Sequence, residues 1–302
     1  MSIINIANNS IDNIKWYVST YYNANPNSFK NAKTYDATIN NIVVRPKLSE
    51  CPTTPILELT KSQTLDNHSN TTEYKEINFR EEVSNIYKTS TIVGFKYGAS
   101  IKKKEKTMIS IIFDIKNRKQ CIPIEIVGDY HYSSLDPVTI TINDLVEVAQ
   151  SISIPPKSRM KATLLVYSGT FTVPVELQAN LRGNHIYNGS AYLSSIEYTD
   201  NLNVHHVCMN NASALYKNRN QWPGYSSIYT VSDKDRNLVR LIGEGKVKST
   251  VILYSQIHYE EQPLSPYLGE YKKYSSPLFL MNAKTPLQPH FFGEQISIIN
   301  PQ

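Results

Sequence analysis

The most constraining stretch of the chain is Ile152–Leu177, where apolar and polar residues alternate in two consecutive runs. The apolar positions are even-numbered in the first run and odd-numbered in the second: Met160, Ala162, Leu164, Val166, Phe171, Val173, Val175 and Leu177. A period of two is typical of a half-buried β-strand. Ser168-Gly169 separates the runs and predicts the tight turn of a β-hairpin, because glycine tolerates positive φ. Pro155-Pro156 excludes a helix at the start, and Pro174 predicts an edge or a bulge in the second strand.

Composition favours strands and excludes membrane-spanning helices. The 21 tyrosines, together with abundant Ile, Thr and Val, are typical of sheets rather than helices. No run of about 18 apolar residues occurs, so no transmembrane helix is expected. The first residues, Met1 to Lys15, have neither a basic start nor a long apolar block, which predicts that no secretory signal peptide is present. Cys51, Cys121 and Cys208 are too few and too widely spaced for a disulfide framework.

Motifs for catalysis and for cofactor binding are missing from the sequence. It contains no G-x-S-x-G, phosphate-binding loop, H-E-x-x-H or dinucleotide fingerprint. The adjacent pairs Glu81-Glu82 and Glu260-Glu261 would point to opposite faces of a strand and could not share a reacting centre. His205-His206 and Cys208 lie close together but lack a second ligand pair at zinc spacing. We therefore expect a protein that is not an enzyme and needs no cofactor or metal; an enzyme without recognised motifs is the alternative.

The formal net charge of +5 is concentrated in one segment. Between Ala99 and Gln120, seven lysines and arginines face two acidic residues, which equals the excess of the whole chain. Such a segment is either a solvated face or a surface attracted to an anionic membrane. Nucleic acid is not expected as a partner, because no recognised binding motif accompanies the charges.

A second alternating stretch, Met108 to Tyr132, has the pattern of a membrane-inserting hairpin. Its apolar positions are Ile109, Ile111, Phe113, Ile115, Ile122, Ile124 and Ile126. The arms, Met108–Ile115 and Ile122–Tyr132, are about as long as the 9–11 residues with which a strand crosses a bilayer. The intervening 116–119 forms a polar tip. One apolar and one mixed face is typical of a barrel strand, and equally of a half-buried hairpin in an ordinary antiparallel sheet.

The sequence of the segment Ile152–Leu177 resembles that of a known protein family. A Pro155-Pro156 start, a basic-apolar strand, a Tyr-x-Gly turn and the return Phe171-Thr172-Val173-Pro174 resemble the epsilon-toxin/mosquitocidal-toxin family of aerolysin-like β-pore-forming proteins. Within that family the likeness is to the small insecticidal crystal toxins of sporulating bacilli. Gly293–Pro301 is a weaker match. The resemblance implies a mainly β, elongated fold of long antiparallel strands and a β-sandwich, with a small α-containing N-terminal head.

The resemblance also implies a function and a way of reaching the target. Such a protein binds a cell-surface glycan or protein receptor, forms a homo-oligomer on the lipid bilayer and inserts a transmembrane β-barrel. The inserting hairpin lies upstream of the Pro-Pro strand, where Met108–Tyr132 is found. Crystal toxins accumulate in intracellular inclusions and are freed by lysis, in agreement with the expected lack of a signal peptide. Proteolytic trimming is common in the family, and Lys272, Lys273 or Lys284 could mark a removable tail.

The chain is expected to divide into a β module and an aromatic head. Residues 1–58 would form the first part of the head, 59–182 a pore-forming module with its insertion hairpin at about 100–132, 183–240 the second part of the head, and 241–302 the last strands and tail. Helical spacing predicts a helix from Ser10, as N-cap, to Tyr22.

Aromatic residues of the head are the candidates for receptor binding. We selected Tyr187, Trp222 and Tyr225, because Tyr and Trp give large contact areas at low entropic cost. Filling a small core of the head is the alternative role for these side chains. Two other functions stay open for the chain: a non-lytic, lectin-like module with the same fold, and a structural or assembly protein.

Overall fold

The structure is a computed structural model that describes residues 1–115, 117–231, 237–265 and 271–280. The predicted tip residue Lys116, the trimming candidate Lys284 and the weaker family match at Gly293–Pro301 lie outside the described residues. Within the described ranges, no helix is both long enough and apolar enough to cross a membrane.

The described residues are mainly β, as predicted. The strands are β1 Ser2–Asn5, β2 Lys30–Thr34, β3 Ala37–Pro46, β4 Glu50–Pro52, β5 Ile56–Asn67, β6 Glu73–Lys96, β7 Lys102–Ile115, β8 Arg118–His131, β9 Val138–Ile154, β10 Ser158–Gly183, β11 His185–Tyr187, β12 Ser190–Thr199, β13 His205–Asn211, β14 Tyr229–Val231, β15 Leu238–Pro263, β16 Lys272–Ser275 and β17 Phe279–Leu280. The helices are α1 Ile6–Tyr21 and α2 Ala214–Lys217, with a 3-10 turn at Pro26–Ser28.

The predicted hairpin at Ser168-Gly169 is wrong, because β10 runs through it as one strand of 26 residues. The pairing of β10 with β15 shifts by one residue between Tyr167 and Ser168, which marks an irregularity of the β-bulge type. Buried side chains of β10 are even-numbered up to Ser168 and odd-numbered from Phe171 onwards. The residue that this shift leaves without a partner is Leu253 of β15, not a residue of β10. The change of parity in β10, which the sequence analysis interpreted as a turn, therefore means that the buried side moves from one face of the strand to the other.

The long antiparallel pair β10–β15 is the centre of the main sheet. At about 3.3 Å per residue, each strand of 26 residues spans roughly 85 Å. On its other edge β10 pairs first with β5, up to Ser168, and then with β3, from Val175 onwards. Pro174 lies in the gap between these partners, which agrees with the predicted edge position. The strand β15 pairs on its other edge with β6, β16 and β17, and β6 pairs with β9.

Two hydrophobic cores follow one another along β10. The lower core contains Met160 to Val166 and packs strands β10 and β15 against β6 and β9 in a sandwich. The upper core contains Phe171 to Leu181 and packs β10 and β15 against the β7–β8 hairpin. Residues of the segment 214–231, including Trp222 and Tyr229, also enter the upper core.

The head consists of a sheet in the order β11–β12–β13, with β2 paired to β12, and of helix α1. The helix begins earlier than predicted, because Asn5 is the N-cap and its side chain accepts a hydrogen bond from Asn8 N at 3.3 Å. Ser10, the predicted cap, is fully buried, and its hydroxyl lies 2.6 Å from Ser194 Oγ on β12. Ile14 and Val18 of the helix are buried against the head sheet.

Phe171 and Thr172 offer a matched test of the upper core. Phe171 is 4% exposed, whereas the side chain of Thr172 points to the exposed face of the same strand. We expect Phe171→Ala to lower the free energy of unfolding by about 3–5 kcal/mol, because it leaves a cavity, and Thr172→Ala to change it little. Chemical denaturation of both variants measures this difference. Equal losses would mean that β10 does not bury its odd-numbered face.

Candidate functional site

Strands β7 and β8 form the predicted hairpin. They pair without a register shift from Lys102↔His131 at the base to Ile115↔Arg118 at the tip. At the tip, Asn117 adopts a positive φ of 63°, which Asn tolerates better than most residues. The hairpin belongs to a small sheet with β4 and is not part of the main sheet.

The inner face of the hairpin carries the predicted apolar residues. Ile115 is partly buried. The other six are buried in the upper core: Ile109, Ile111, Phe113, Ile122, Ile124 and Ile126. The ring of Phe113 stacks on that of Tyr254 with centroids 5.8 Å apart. The apolar residues of the alternating pattern therefore form the contact between the hairpin and the body of the protein.

The outer face of the hairpin is polar and solvent-exposed. On β7 it presents Lys102, Lys104 and Lys106, and further along Met108, which is 59% exposed. On β8 it includes the free thiol of Cys121, which is also exposed. One strand pair thus has an apolar face against protein and a mixed face against water.

On its β7 edge the hairpin is joined to the body by a short backbone ladder. Strand β4 pairs in parallel with Ser110–Ile112. Ser110 N donates to Ser49 O at 3.0 Å, and Thr53 N donates to Ile112 O at 2.9 Å. The register of β4 with β7 covers only three residues, far fewer than the ladder of β10 with β15.

On its β8 edge the hairpin is held by side-chain hydroxyls of β6. Thr89 and Thr91 donate from Oγ1 to the carbonyl oxygens of Asp129 and His131, each at 2.6 Å. Tyr87 Oη donates to Glu125 O at 3.3 Å. We call these three donors the hydroxyl latch.

The hydroxyl latch holds β8 by side-chain hydrogen bonds and not by a backbone ladder. Burial, with a smaller effect of nearby carboxylates, raises the pKa of Tyr87 to about 12, so its hydroxyl stays protonated at neutral pH. Gly94, three residues after Thr91 on β6, allows the base of the hairpin to approach closely, since a Cβ at this position would lie 2.1 Å from Tyr132 O. Release of β8 would break these bonds without breaking a ladder of the main sheet.

Pro123 fits inside β8 because of its pairing. Its partner on β7 is Ser110, whose N–H points away from β8 towards Ser49 O. Ser110 and Pro123 are thus a non-hydrogen-bonded pair, in which neither nitrogen faces the other strand. The missing N–H of proline therefore costs no hydrogen bond within the hairpin.

The latch can be tested without changing side-chain shape. Thr89→Val and Thr91→Val each remove one donor, and we expect each to weaken the attachment by about 0.5–1.5 kcal/mol. Hydrogen exchange of β8 amides should become faster in these variants. Thr163→Val is the control, because Thr163 bonds Ser62 on β5, away from the hairpin. Equal exchange in all three variants would contradict a role of the latch.

The structure separates the three receptor-binding candidates. Tyr187 is 56% exposed and precedes a tight turn at Asn188-Gly189, whose two positive φ angles are typical of a type I′ hairpin. Trp222 is 5% exposed and lies in the upper core, so its side chain is not available at the surface, which corrects its selection as a receptor contact. Tyr225 is partly buried and donates its hydroxyl to Tyr229 O at 2.9 Å.

The structure also shows an exposed apolar surface that the sequence analysis missed. At the end of β12 farther from β10, Asp200 Oδ1 accepts from Leu202 N and Val204 N at 2.8 and 2.9 Å. The hydrogen bonds from Val204 and His206 hold the pKa of Asp200 below its usual range. The ordered loop presents Leu202, 81% exposed, and Val204, 48% exposed.

The end of helix α1 extends this surface. Ala24 forms a β-bridge with Asp200 and brings Tyr21 and Tyr22, about half exposed, to the same end of the head. We call Tyr21, Tyr22, Leu202 and Val204 the distal tip. The sequence contains the tyrosine pair and the Asp-x-x-x-Val loop far apart from each other. Only their contact in the folded chain identifies them as one surface.

The described ranges contain no cluster of His, Cys, Asp or Glu that could hold a metal ion. His206, one of the histidines considered above, stacks on Tyr198 and lies 2.9 Å from Asp200 Oδ2. Its ring therefore orders the loop of the distal tip.

The sequence of residues 8–273 matches the family described as Clostridium epsilon toxin ETX/Bacillus mosquitocidal toxin MTX2. The chain belongs to this family. It is also 30% identical over 281 residues to the pesticidal crystal protein Cry15Aa of Bacillus thuringiensis subsp. thompsoni, covering 90% of this chain and 77% of that protein.

Solved structures of crystal proteins share the fold. The complex of Cry23Aa1 and Cry37Aa1 contains a chain of TM-score 0.65 and 21% identity, with 93% of this chain and 98% of that chain covered. A non-toxic crystal protein from Bacillus thuringiensis has a TM-score of 0.66 at 17% identity, covering 87% and 99%. The β-pore-forming protein Mpp75Aa1.1 from Brevibacillus laterosporus has a TM-score of 0.52 at 14% identity, covering 92% and 96%.

Proposed function

We propose that this protein is a pore-forming toxin that binds a cell-surface receptor through its head, forms a homo-oligomer and inserts the β7–β8 hairpin as part of a transmembrane barrel. Membership of the epsilon-toxin/mosquitocidal-toxin family supports this proposal. The similarity to a pesticidal crystal protein favours synthesis as an intracellular inclusion and action outside the producing cell on target-cell membranes.

The observation that carries the proposal is the way in which the hairpin is attached. It has a complete ladder of its own, whereas the body holds it through three paired residues of β4, the hydroxyl latch and an apolar face. Release therefore leaves the β10–β15 ladder intact. In lipid, backbone groups must be paired, and a ring of such hairpins would pair their free edges with one another.

The apolar face of the hairpin has the length of a membrane span. It extends from Thr107 to Ile115 on β7, about nine residues or roughly 30 Å. Glu105 lies next to one end of this span, and Arg118 lies at the other. We propose that Ile109, Ile111, Phe113, Ile115, Ile122, Ile124 and Ile126 face lipid. The polar residues on this face are Gln120, opposite Phe113, and Thr107 and Arg118 at the two ends.

A non-lytic binding module is the second candidate function. One fold neighbour is described as a non-toxic crystal protein, so the same architecture occurs in a protein without toxicity. The exposed Tyr187 and distal tip would serve such a module equally well. Release of dye from receptor-bearing cells or liposomes separates the two functions, because only the pore-former permeabilises a membrane.

A natural cysteine permits a lock of the hairpin in which only one new cysteine is introduced. Cys51 on β4 is buried and is the register partner of Ile111, and adjacent strands are close enough for a disulfide. Ile111→Cys, with Cys121→Ser and Cys208→Ser, should form this bridge on oxidation. Burial raises the pKa of the Cys51 thiol, so alkaline pH favours the oxidation. We expect the oxidised protein to bind cells and release no dye, and the reduced protein to release it.

The same variant with Cys51→Ser is the matched control, since it carries every other change and cannot form the bridge. It should release dye under both oxidising and reducing conditions. Dye release by the verified, oxidised lock at the level of this control would exclude β7–β8 as the inserting element.

Receptor binding by the head can be separated from folding. Tyr187→Ala and Leu202→Ala remove exposed side chains, so we expect weaker cell binding and an almost unchanged melting temperature. Trp222→Ala should instead lower stability by about 3–5 kcal/mol, because it empties a buried site. Binding assays and thermal unfolding of the three variants measure both effects. Unchanged binding by both surface variants would place the receptor contact elsewhere.

A further inference from the structure

The outer face of the hairpin has an uneven distribution of charge along its length. If the apolar face contacts lipid, as proposed above, the outer face lines the water-filled lumen, because neighbouring residues of a strand point to opposite sides. The lumen-lining residues can therefore be read from the register of the hairpin, and this inference rests on the proposed pore.

Within the membrane span and immediately next to it, the charges of the outer face are compensated. Lys106 Nζ lies 2.8 Å from Glu125 Oε1. Asp114 and Lys119 are directly opposite each other in the register of β7 and β8. The remaining outer positions of the span include Met108, Ser110, Ile112, Cys121 and Pro123, which carry no formal charge. The middle of the lumen thus has little net fixed charge.

At the base of the hairpin the charges are not compensated. Lys102 and Lys104 are exposed on the outer face of β7. Opposite them on β8 are His131 and Asp129 respectively. With histidine neutral, two lysines face one carboxylate, which leaves a positive excess at this level in every protomer. A ring of protomers would repeat that excess around one mouth of the barrel.

We propose that Lys102 and Lys104 form a positive ring at the mouth of the pore next to the protein body and make the pore prefer small anions to cations. Rings of charged side chains select permeant ions by their sign, and lysine or arginine rings favour anions. The low net charge of the mid-lumen leaves the mouth as the dominant fixed charge along the path.

Reversal potentials in planar bilayers test this proposal. Under a KCl gradient, the wild-type protein should show a permeability ratio of Cl⁻ to K⁺ above one. Lys102→Glu/Lys104→Glu should move the reversal potential to the opposite sign, with a ratio below one. Lys248→Glu is the control: Lys248 is exposed on β15, outside the hairpin, and its replacement should leave the ratio unchanged.

Two further measurements protect the test against misfolding and against a reversed hairpin. Lys102→Gln/Lys104→Gln introduces no new carboxylate beside Asp129 and should bring the ratio closer to one. A charged methanethiosulfonate reagent should reduce the conductance of open wild-type pores through Cys121, and pores of Cys121→Ser should be insensitive. Insensitive wild-type pores would place the outer face away from the lumen and overturn the inference.

The failure of this inference differs from the failure of the proposed function. Channels that prefer cations, or lysine variants with the wild-type reversal potential, overturn the assignment of Lys102 and Lys104 and leave pore formation standing. Receptor-bearing membranes without any channels contradict the proposed function, and the inference falls with it.

Discussion

The ladder between β10 and β15 is the constraint on which the rest of the structure depends. Its register runs from Ser158↔Pro263 to Arg182↔Leu238 with a single shift. Because both strands pass through the lower and the upper core, they fix the position of the sandwich relative to the hairpin. An antiparallel pair of this length cannot be opened locally at small cost, since each residue lost from it leaves backbone groups to be paired elsewhere.

The β7–β8 hairpin differs from this ladder in the kind of bonds that hold it. Its edges contact three residues of β4 on one side and the hydroxyls of Tyr87, Thr89 and Thr91 on the other. Side-chain hydroxyls bond carbonyl oxygens without creating a continuous ladder, so the hairpin is fixed in place while its own pairing stays independent. The longest backbone ladder therefore lies between β10 and β15, whereas the hairpin is attached to the body by a short ladder and by side-chain contacts.

Period-two patterning predicted the faces of the strands but not always their limits. The buried parity of Ile109 to Phe113 and of Met160 to Val166 follows from alternation alone. At Ser168 the same pattern was misread, because parity changes both at a turn and where a continuous strand changes its buried face, and only the partner strand distinguishes the two. The hydroxyl latch and the distal tip could not be predicted, since they join residues of β6 to β8, and of α1 to the loop after β12, through tertiary contacts.

The burial of Trp222 shows a further limit of composition as a guide, since an aromatic-rich segment supplies core and surface alike. The inner face of the hairpin also combines two roles, in the protein core and in the proposed membrane span. Ile111 is fully buried against protein and is also proposed to face lipid, so a charge at this position would destabilise the folded protomer before insertion could be examined. Residues on the outer face and at the two edges are free of this conflict, because they change the lumen or the attachment without entering the core. Physical tests of insertion therefore have to act through β4, β6, the outer face or an uncharged crosslink, rather than through charges placed among the apolar residues that first indicated the hairpin.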